Sequence, residues 1–398
     1  MAHVQSSNKI LIAGGGIAGL ATALTLHRLG LKSVTVLEQA SSLRVTGASL
    51  TIWDNGWRAL DALGVGDSLR RKHTQLKRID TLSTTSGLTK SIDLQDHDVR
   101  CVLRKELLQT LAQALPANTI RFGSKISAIH QRQDNSSIAT LDDGSQISPK
   151  VIIGCDGVNS TVAKWLGFGS PKFAGRSTFL GLGSFPQGHH FEPTTFQIWG
   201  DGLRAGFAPC NERDALWFLT RKSLPRDAKI SYDANILQEE AQQLAEGLGS
   251  KEIMEVIKRS VPSSLSLAIL KYRYLWPFLA GKAHKGNVTV AGDAMHPMTP
   301  DLGQGGALAL EDSIILGKCL AEVDLDKSLE IEVALNKYVE KRKKRVFGMG
   351  VGSSISGIVQ SGSWWLPKLI REKVVFNKLS PKMLRHTEYD CGTLPTLS

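Results

Sequence analysis

The stretch Lys9-Ile10-Leu11-Ile12-Ala13-Gly14-Gly15-Gly16-Ile17-Ala18-Gly19 sets the architecture of this chain. Its apolar run meets glycines at once and reads as a short buried strand. Residues 17–29 then carry Ala and Leu at helical spacing and stop at Gly30, and Val34–Leu37 reads as a second buried strand. Strand, turn, helix and strand in that order open a parallel α/β sheet. The turn contains Gly-x-Gly-x-x-Gly. Gly14 permits the tight bend, Gly16 lets a pyrophosphate approach the backbone, and Gly19 lets helix and strand pack closely. Ile17 and Ala18 begin the helix, whose free N–H groups and partial positive charge suit phosphates. Glu38, just past the second strand, is placed to accept hydrogen bonds from an adenosine ribose. An acid there repels a 2′-phosphate, so NADP is disfavoured in this turn.

Further along, Asn287-Val288-Thr289-Val290-Ala291-Gly292-Asp293 is another buried strand whose end presents a carboxylate. Pro300 and Gly303-Gln304-Gly305-Gly306 then lead into a long helix predicted over Gly305–Ala321. This pairing selects FAD over NAD. The carboxylate suits the hydroxyls of a ribityl chain, and the helix start suits the anion that reduced flavin becomes. Helices are also predicted over 55–63 and 105–115, short strands over 120–147, and a buried strand over Val151–Gly154. From residue 177 to 220 the texture changes to strand-like runs rich in aromatics, followed by helices near 237–248 and 252–259. The expected organisation is a discontinuous FAD-binding domain, 1–170 and 281–350, a β-rich substrate domain, 171–280, and a basic helical segment, 351–398, packed on the body.

Three motifs stand in order: Gly14 to Gly19 with Glu38, then Asp156-Gly157 with Ser160, then Gly292-Asp293 with Pro300, Gly303, Gln304 and Gly305. Gly47-Ala48, Asn55-Gly56, Leu63-Gly64-Val65 and Arg104 at the head of its helix extend the pattern over nearly the whole chain. In these motifs the chain resembles the single-component FAD-dependent aromatic hydroxylases of the p-hydroxybenzoate and salicylate hydroxylase type. Within them it is most similar to plant FAD-dependent monooxygenases related to zeaxanthin epoxidase, whose ending Tyr389-Asp390-Cys391-Gly392 resembles. The resemblance implies an α/β fold in which a Rossmann-like FAD-binding domain, a parallel sheet with helices, is interrupted by a β-rich substrate domain. It places Gly47, Ala48, Arg104 and Asp156 at the cofactor with the residues above, Arg104 near the pyrophosphate.

The activity the resemblance implies is that of an oxidoreductase. NAD(P)H reduces non-covalently bound FAD, O2 adds to give a C4a-hydroperoxide, and its distal oxygen hydroxylates or epoxidises a small aromatic or other electron-rich substrate. Arg44-Val45-Thr46-Gly47-Ala48 follows the hydroxylase pattern rather than that of the flavin amine oxidases. Two residues depart from the family. Ala163 stands where an Arg usually follows Ser160, in a motif held to couple flavin and NAD(P)H binding, and Ala307 stands where many relatives carry Asn. Ala163 gives weight to an alternative, a FAD-dependent oxidase, dehydrogenase or cyclase without oxygen insertion. The substrate pocket is expected between the β-rich domain and the flavin, lined by Trp199, Arg204, Phe207 and Trp217, with Arg204 suited to a carboxylate or phenolate. His296 reads as a support for the flavin loop, and no catalytic acid or base is assigned.

Composition bounds the rest. The 398 residues, 42% hydrophobic and 21% charged, describe a globular chain and exclude disordered and collagen-like classes. The five cysteines are scattered without Cys-x-x-Cys spacing, and neither a His-Glu-x-x-His nor a Gly-x-Ser-x-Gly occurs. No metal is therefore expected, and a reducing compartment, the cytoplasm, fits best. The net charge of +11 is concentrated: between Lys337 and Arg385, twelve Lys or Arg face only Glu340 and Glu372. That is a basic segment rather than a nucleic-acid groove. The run Lys341 to Arg345 reads as a solvated helix face, with anionic lipid or a nuclear signal as lesser readings. Residues 346–367 carry no charge but are too rich in Gly and Ser to span a bilayer, while Trp364 and Trp365 leave a peripheral membrane contact open.

Overall fold

The computed structural model describes residues 4–5, 9–43, 49–200, 202–228, 233–274, 283–361, 365–370 and 381–395. Gly47, Ala48 and Trp364 lie outside the described residues. A six-stranded sheet runs in the order His284–Lys285, Val288–Val290, Val151–Gly154, Ile10–Ala13, Val34–Leu37, Ile120–Arg121. Every pairing is parallel except the first, a hairpin. Ile10–Ala13 and Val151–Gly154 are buried at every position, which is why they read as continuous apolar runs without alternation. Ala13 lies level with Leu37 on one side and Gly154 on the other. The loops that follow these three strands therefore emerge together at one edge of the sheet, where α/β proteins bind dinucleotides. Helix Ile17–Arg28 leaves that edge and is buried over residues 17–26. It packs on helix Gly305–Ala321, also apolar on nearly all sides.

Across from this layer stands a seven-stranded sheet: Ser266–Tyr272, Lys172–Ser184, Asp214–Lys222, Leu203–Pro209, Thr194–Trp199, Arg78–Ser83, Thr89–Asp93. The last two strands come from outside the expected span 171–280. Arg78–Ser83 pairs parallel with Thr194–Trp199 and is extended by a hairpin partner. Its alternating burial is that of any half-buried strand, so linear order alone misassigned it. One face of the sheet packs Phe179, Ile198, Trp217 and Leu219 into a core with helices Ala234–Glu246 and Lys251–Lys258. The opposite face looks across a cavity toward the nucleotide sheet.

The helix Ser328–Ser361 runs through residue 350, so the expected boundary there falls inside one continuous element. The reading of Lys341 to Arg345 as a solvated face is also corrected. Arg342 is fully buried and bonds Glu311 and Asp312, and Arg345 reaches Glu311. Two buried carboxylates on the neighbouring helix call for these cations, because an unpaired charge in the interior is strongly unfavourable. Lys341 and Lys344 stay outside.

Candidate active site

The glycine turn is built by close contact. Gly14 sits at φ 102°, and a Cβ on it would lie 2.4 Å from the Cys155 carbonyl oxygen. A Cβ on Gly19 would lie 1.9 Å from the Gly14 carbonyl oxygen. Beyond Gly16 there is open space, and Gly16, Ile17 and Ala18 border the cavity. Glu38 is buried at the end of the adjoining strand. Its two oxygens accept from the Gly15 and Ala40 N–H groups, at 2.9 and 2.8 Å. The carboxylate is thereby held beside the glycine turn.

In the middle motif, Asp156 turns its carboxylate inward. It accepts from the Ser160 hydroxyl and from the Thr161 N–H at 2.7 Å, at the start of helix Thr161–Trp165. Its neighbours Cys155 and Gly157 border the cavity in its place. Burial raises the Asp156 pKa against these hydrogen bonds. Ala163 is buried in the same helix. The guanidinium that ties this loop comes from elsewhere: Arg273, just past strand Ser266–Tyr272, donates to the carbonyls of Val158, Gly169 and Ala294 at 3.1, 3.0 and 2.6 Å. No sequence motif marks this residue, which joins the middle motif to the Asp293 turn.

The Gly292-Asp293 turn rests on a buried polar network. Asp312 accepts from the Gly292 N–H at 2.9 Å, lies 2.5 Å from His296 Nε2, and accepts from Arg342 Nε at 2.7 Å. Glu311 beside it accepts from Asn55, Arg342 and Arg345. Asn55 in turn donates to Gln304 Oε1, and Gln304 is buried and does not border the cavity. Burial alone would raise the Asp312 carboxyl; His296 and Arg342 overcome it and hold it at about 2. His296 is fully buried beneath the turn. Asp293 opens onto the cavity while walled in by protein, and this desolvation raises its pKa against the pull of His296, Arg104 and Arg273. Arg104, Pro300, Gly303 and Gly305 border the same space, Gly305 at the N-terminus of its helix.

From these turns a cavity of about 780 Å³ reaches the seven-stranded sheet. Trp199 and Arg204, paired across neighbouring strands, line it. Arg204 donates to Gln197 Oε1 at 3.1 Å, approaches Asp301 at 3.4 Å and stacks 4.9 Å over Phe218, while its Nε has no partner. Asp301 is already held in two bonds by Arg176, at 2.8 and 2.7 Å. Two guanidiniums thus share one carboxylate, leaving the wall net cationic. Burial pulls Arg204 down to about 10, with Asp301 opposing, so it is charged at neutral pH.

Phe207 contributes to the wall but is packed on Phe191 and Phe196. Trp217 does not reach the cavity. It faces the helices and donates from Nε1 to Ser260 Oγ at 2.8 Å, and Leu216, Phe218 and Thr220 line the cavity from the same strand. The pleat sends alternate residues to opposite faces, so a one-residue shift separates Trp217 from the site. Sequence reading missed the far wall as well: Gly352, Ile355, Ser356 and Val359 of helix Ser328–Ser361, with Leu384 and His386. No group of metal-ligating side chains occurs among the described residues, and the five cysteines are free and buried.

A largely parallel nucleotide sheet, a facing mostly antiparallel layer and a cavity joining the glycine turn to a cationic wall define the flavoprotein hydroxylase architecture. The sequence matches the family model described as FAD binding domain over residues 7–349, and the chain belongs to this family, that of the FAD-dependent monooxygenases. It is similar to Monooxygenase 2 of Arabidopsis thaliana, 39% identical over 98% of this chain and 99% of that protein. It is also similar to Monooxygenase 1 of the same plant, 37% identical over 97% and 99%. Among solved structures, Klebsiella pneumoniae HpxO complexed with FAD and uric acid shares the fold, with a TM-score of 0.80 at 22% identity over 96% of each chain.

Proposed function

We propose that this enzyme uses NAD(P)H and O2 to hydroxylate or epoxidise a small aromatic or other electron-rich substrate, an acidic group on it being favoured by Arg204. The observation that carries the reading is one continuous cavity bordered at one end by Gly16 and Asp293 and at the other by Trp199 and Arg204. The residues fit FAD: a cradle that a Cβ on Gly14 or Gly19 would fill, the Glu38 carboxylate fixed beside it, and a helix N-terminus at Gly305. FAD supplies acceptance of the hydride and activation of O2. It would be held non-covalently. Cys155 borders the cavity, but burial pushes its thiol far up, and a neutral thiol is a poor nucleophile.

The chain's own part is positioning and exclusion of water. Arg204 borders the cavity and would bring its positive charge to an anionic group there, and Gln197 holds the guanidinium in place for it. Trp199 and Phe218 offer aromatic faces beside it. The helix Ser328–Ser361 and Leu384 close the far side, which keeps water from the reacting oxygen. A relative from Mycolicibacterium vanbaalenii is described as a FAD-dependent urate hydroxylase, which supports an electron-rich ring as the substrate class. Ala163 favours a second reading, an oxidase, dehydrogenase or cyclase without oxygen insertion.

The two readings separate in one experiment. The purified protein is incubated with NADH or NADPH, isotopically heavy O2 and a panel of hydroxylated aromatic acids, indoles and terpenoids. One heavy oxygen in a product, seen by mass spectrometry, is the expected result. Substrate oxidation with no heavy oxygen incorporated would select the second reading.

A further inference from the structure

The helix Ser328–Ser361 has an outer face of which the catalytic reading uses only Ile355. Leu329, Val333, Phe347, Val351, Ile355 and Ile358 are all exposed, Ile355 and Ile358 at 58% and 57%. At about 100° per residue these six positions fall on one side of the helix. Single exposed apolar residues are ordinary; exposed Lys337, Glu340 and Lys344 separate Leu329 and Val333 from the rest, and Phe347, Val351, Ile355 and Ile358 form the contiguous aligned set that marks an interaction surface.

We propose that this face docks on the surface of an anionic lipid bilayer. Charge is the first argument. Lys341 and Lys344 are exposed on the turns just before Phe347, on the side away from the Glu311 and Asp312 carboxylates that Arg342 and Arg345 neutralise. Lys343 pairs with Glu340 and Lys337 with Glu322, which leaves the end of the stripe cationic. A second copy of the chain is the poorer occupant, because a two-fold interface would set this positive segment against itself. An apolar helical face beside lysines suits lipid, whose headgroups take the charge while the boundary region takes the side chains. No helix among the described residues is long and apolar enough to cross a membrane, so the contact is peripheral.

The second argument is position. Gly352, Ser356 and Val359 line the cavity from the adjoining sector of the same helix, and Ile355 belongs to both sets, exposed and lining. Arg385 is exposed between Leu384 and His386, which also line the cavity. Docking would thus bring the rim of the substrate cavity to the lipid surface.

Flotation of the FAD-loaded full-length protein with phosphatidylcholine vesicles, with and without phosphatidylserine, tests this. Recovery with the phosphatidylserine vesicles at low ionic strength, and its loss in added salt, is expected. The double variant Val351→Ser/Ile358→Ser should bind roughly tenfold more weakly or worse, since it removes apolar side chains from the contact. Lys341→Glu/Lys344→Glu should lose binding comparably, with flavin content and thermal midpoint unchanged in both. Failure to float with phosphatidylserine vesicles, or flotation undiminished in both variants, overturns the proposal. So does a dimer in sedimentation velocity that the apolar double variant dissociates, which would assign the stripe to a second copy.

Discussion

Arg204 leaves one guanidinium nitrogen unsatisfied in a wall where most other polar groups are paired, and a buried donor without a partner is costly to keep. The residue also borders the cavity, where its charge would attract an anionic group on a substrate. Replacing Arg204 with Met should raise KM for an acidic aromatic substrate about 10- to 100-fold, as expected for a charge-assisted bond of roughly 1.5–3 kcal/mol, with a smaller effect on kcat. Equal KM for wild type and variant would remove Arg204 from the substrate. The residue behind the Gly292-Asp293 turn, Asp312, carries a different prediction. Its carboxyl lies below the ordinary 3.8, at about 2. The stability it contributes is therefore present above about pH 4 and lost as pH falls from there toward 2. Arg342→Met leaves Glu311 and Asp312 buried without their main cation and should cost about 3–5 kcal/mol in urea unfolding. A loss below about 1 kcal/mol would show the network to be dispensable.

At the scale of elements, the nucleotide-binding unit was legible because each requirement is local. Apolar runs bounded by glycines, an acid after the second strand and the helix Gly305–Ala321 follow from spacing alone, and the structure reproduces that helix to the residue. Steric contact between turn and helix makes a direct test. Gly19→Ala would press a methyl into the Gly14 carbonyl and should cost about 1–3 kcal/mol by overpacking, with loss of bound flavin on gel filtration. Retention of flavin and an unchanged unfolding midpoint would mean the turn is slack. The β-rich layer was less legible. Period-two alternation tells which residues share a face but not which face meets the cavity. Trp217 was therefore expected in the pocket, although Phe218 is the one that lies there. Membership of the sheet was hidden too, since Arg78–Ser83 joins it by a parallel pairing more than a hundred residues distant.

At the scale of the whole molecule, the functional surfaces are assembled from distant parts. Arg273 bridges Val158 and Ala294, Asn55 reaches Glu311, and the cavity takes walls from both sheets and from the C-terminal helix. The sequence by itself determined the α/β class, the glycine turn with Glu38 beside it, the turn that presents Asp293 and the location of the positive charge. These depend on neighbours along the chain, whose steric and hydrogen-bonding demands are met within a few residues. Only the tertiary structure decided which strand face became the cavity wall, that Arg342 and Arg345 turn inward while Lys341 and Lys344 stay outside, and that Phe347, Val351, Ile355 and Ile358 of their helix are left exposed. Each of those outcomes depends on what stands opposite. A buried carboxylate, a facing sheet or open solvent is supplied by a segment whose position no local pattern records.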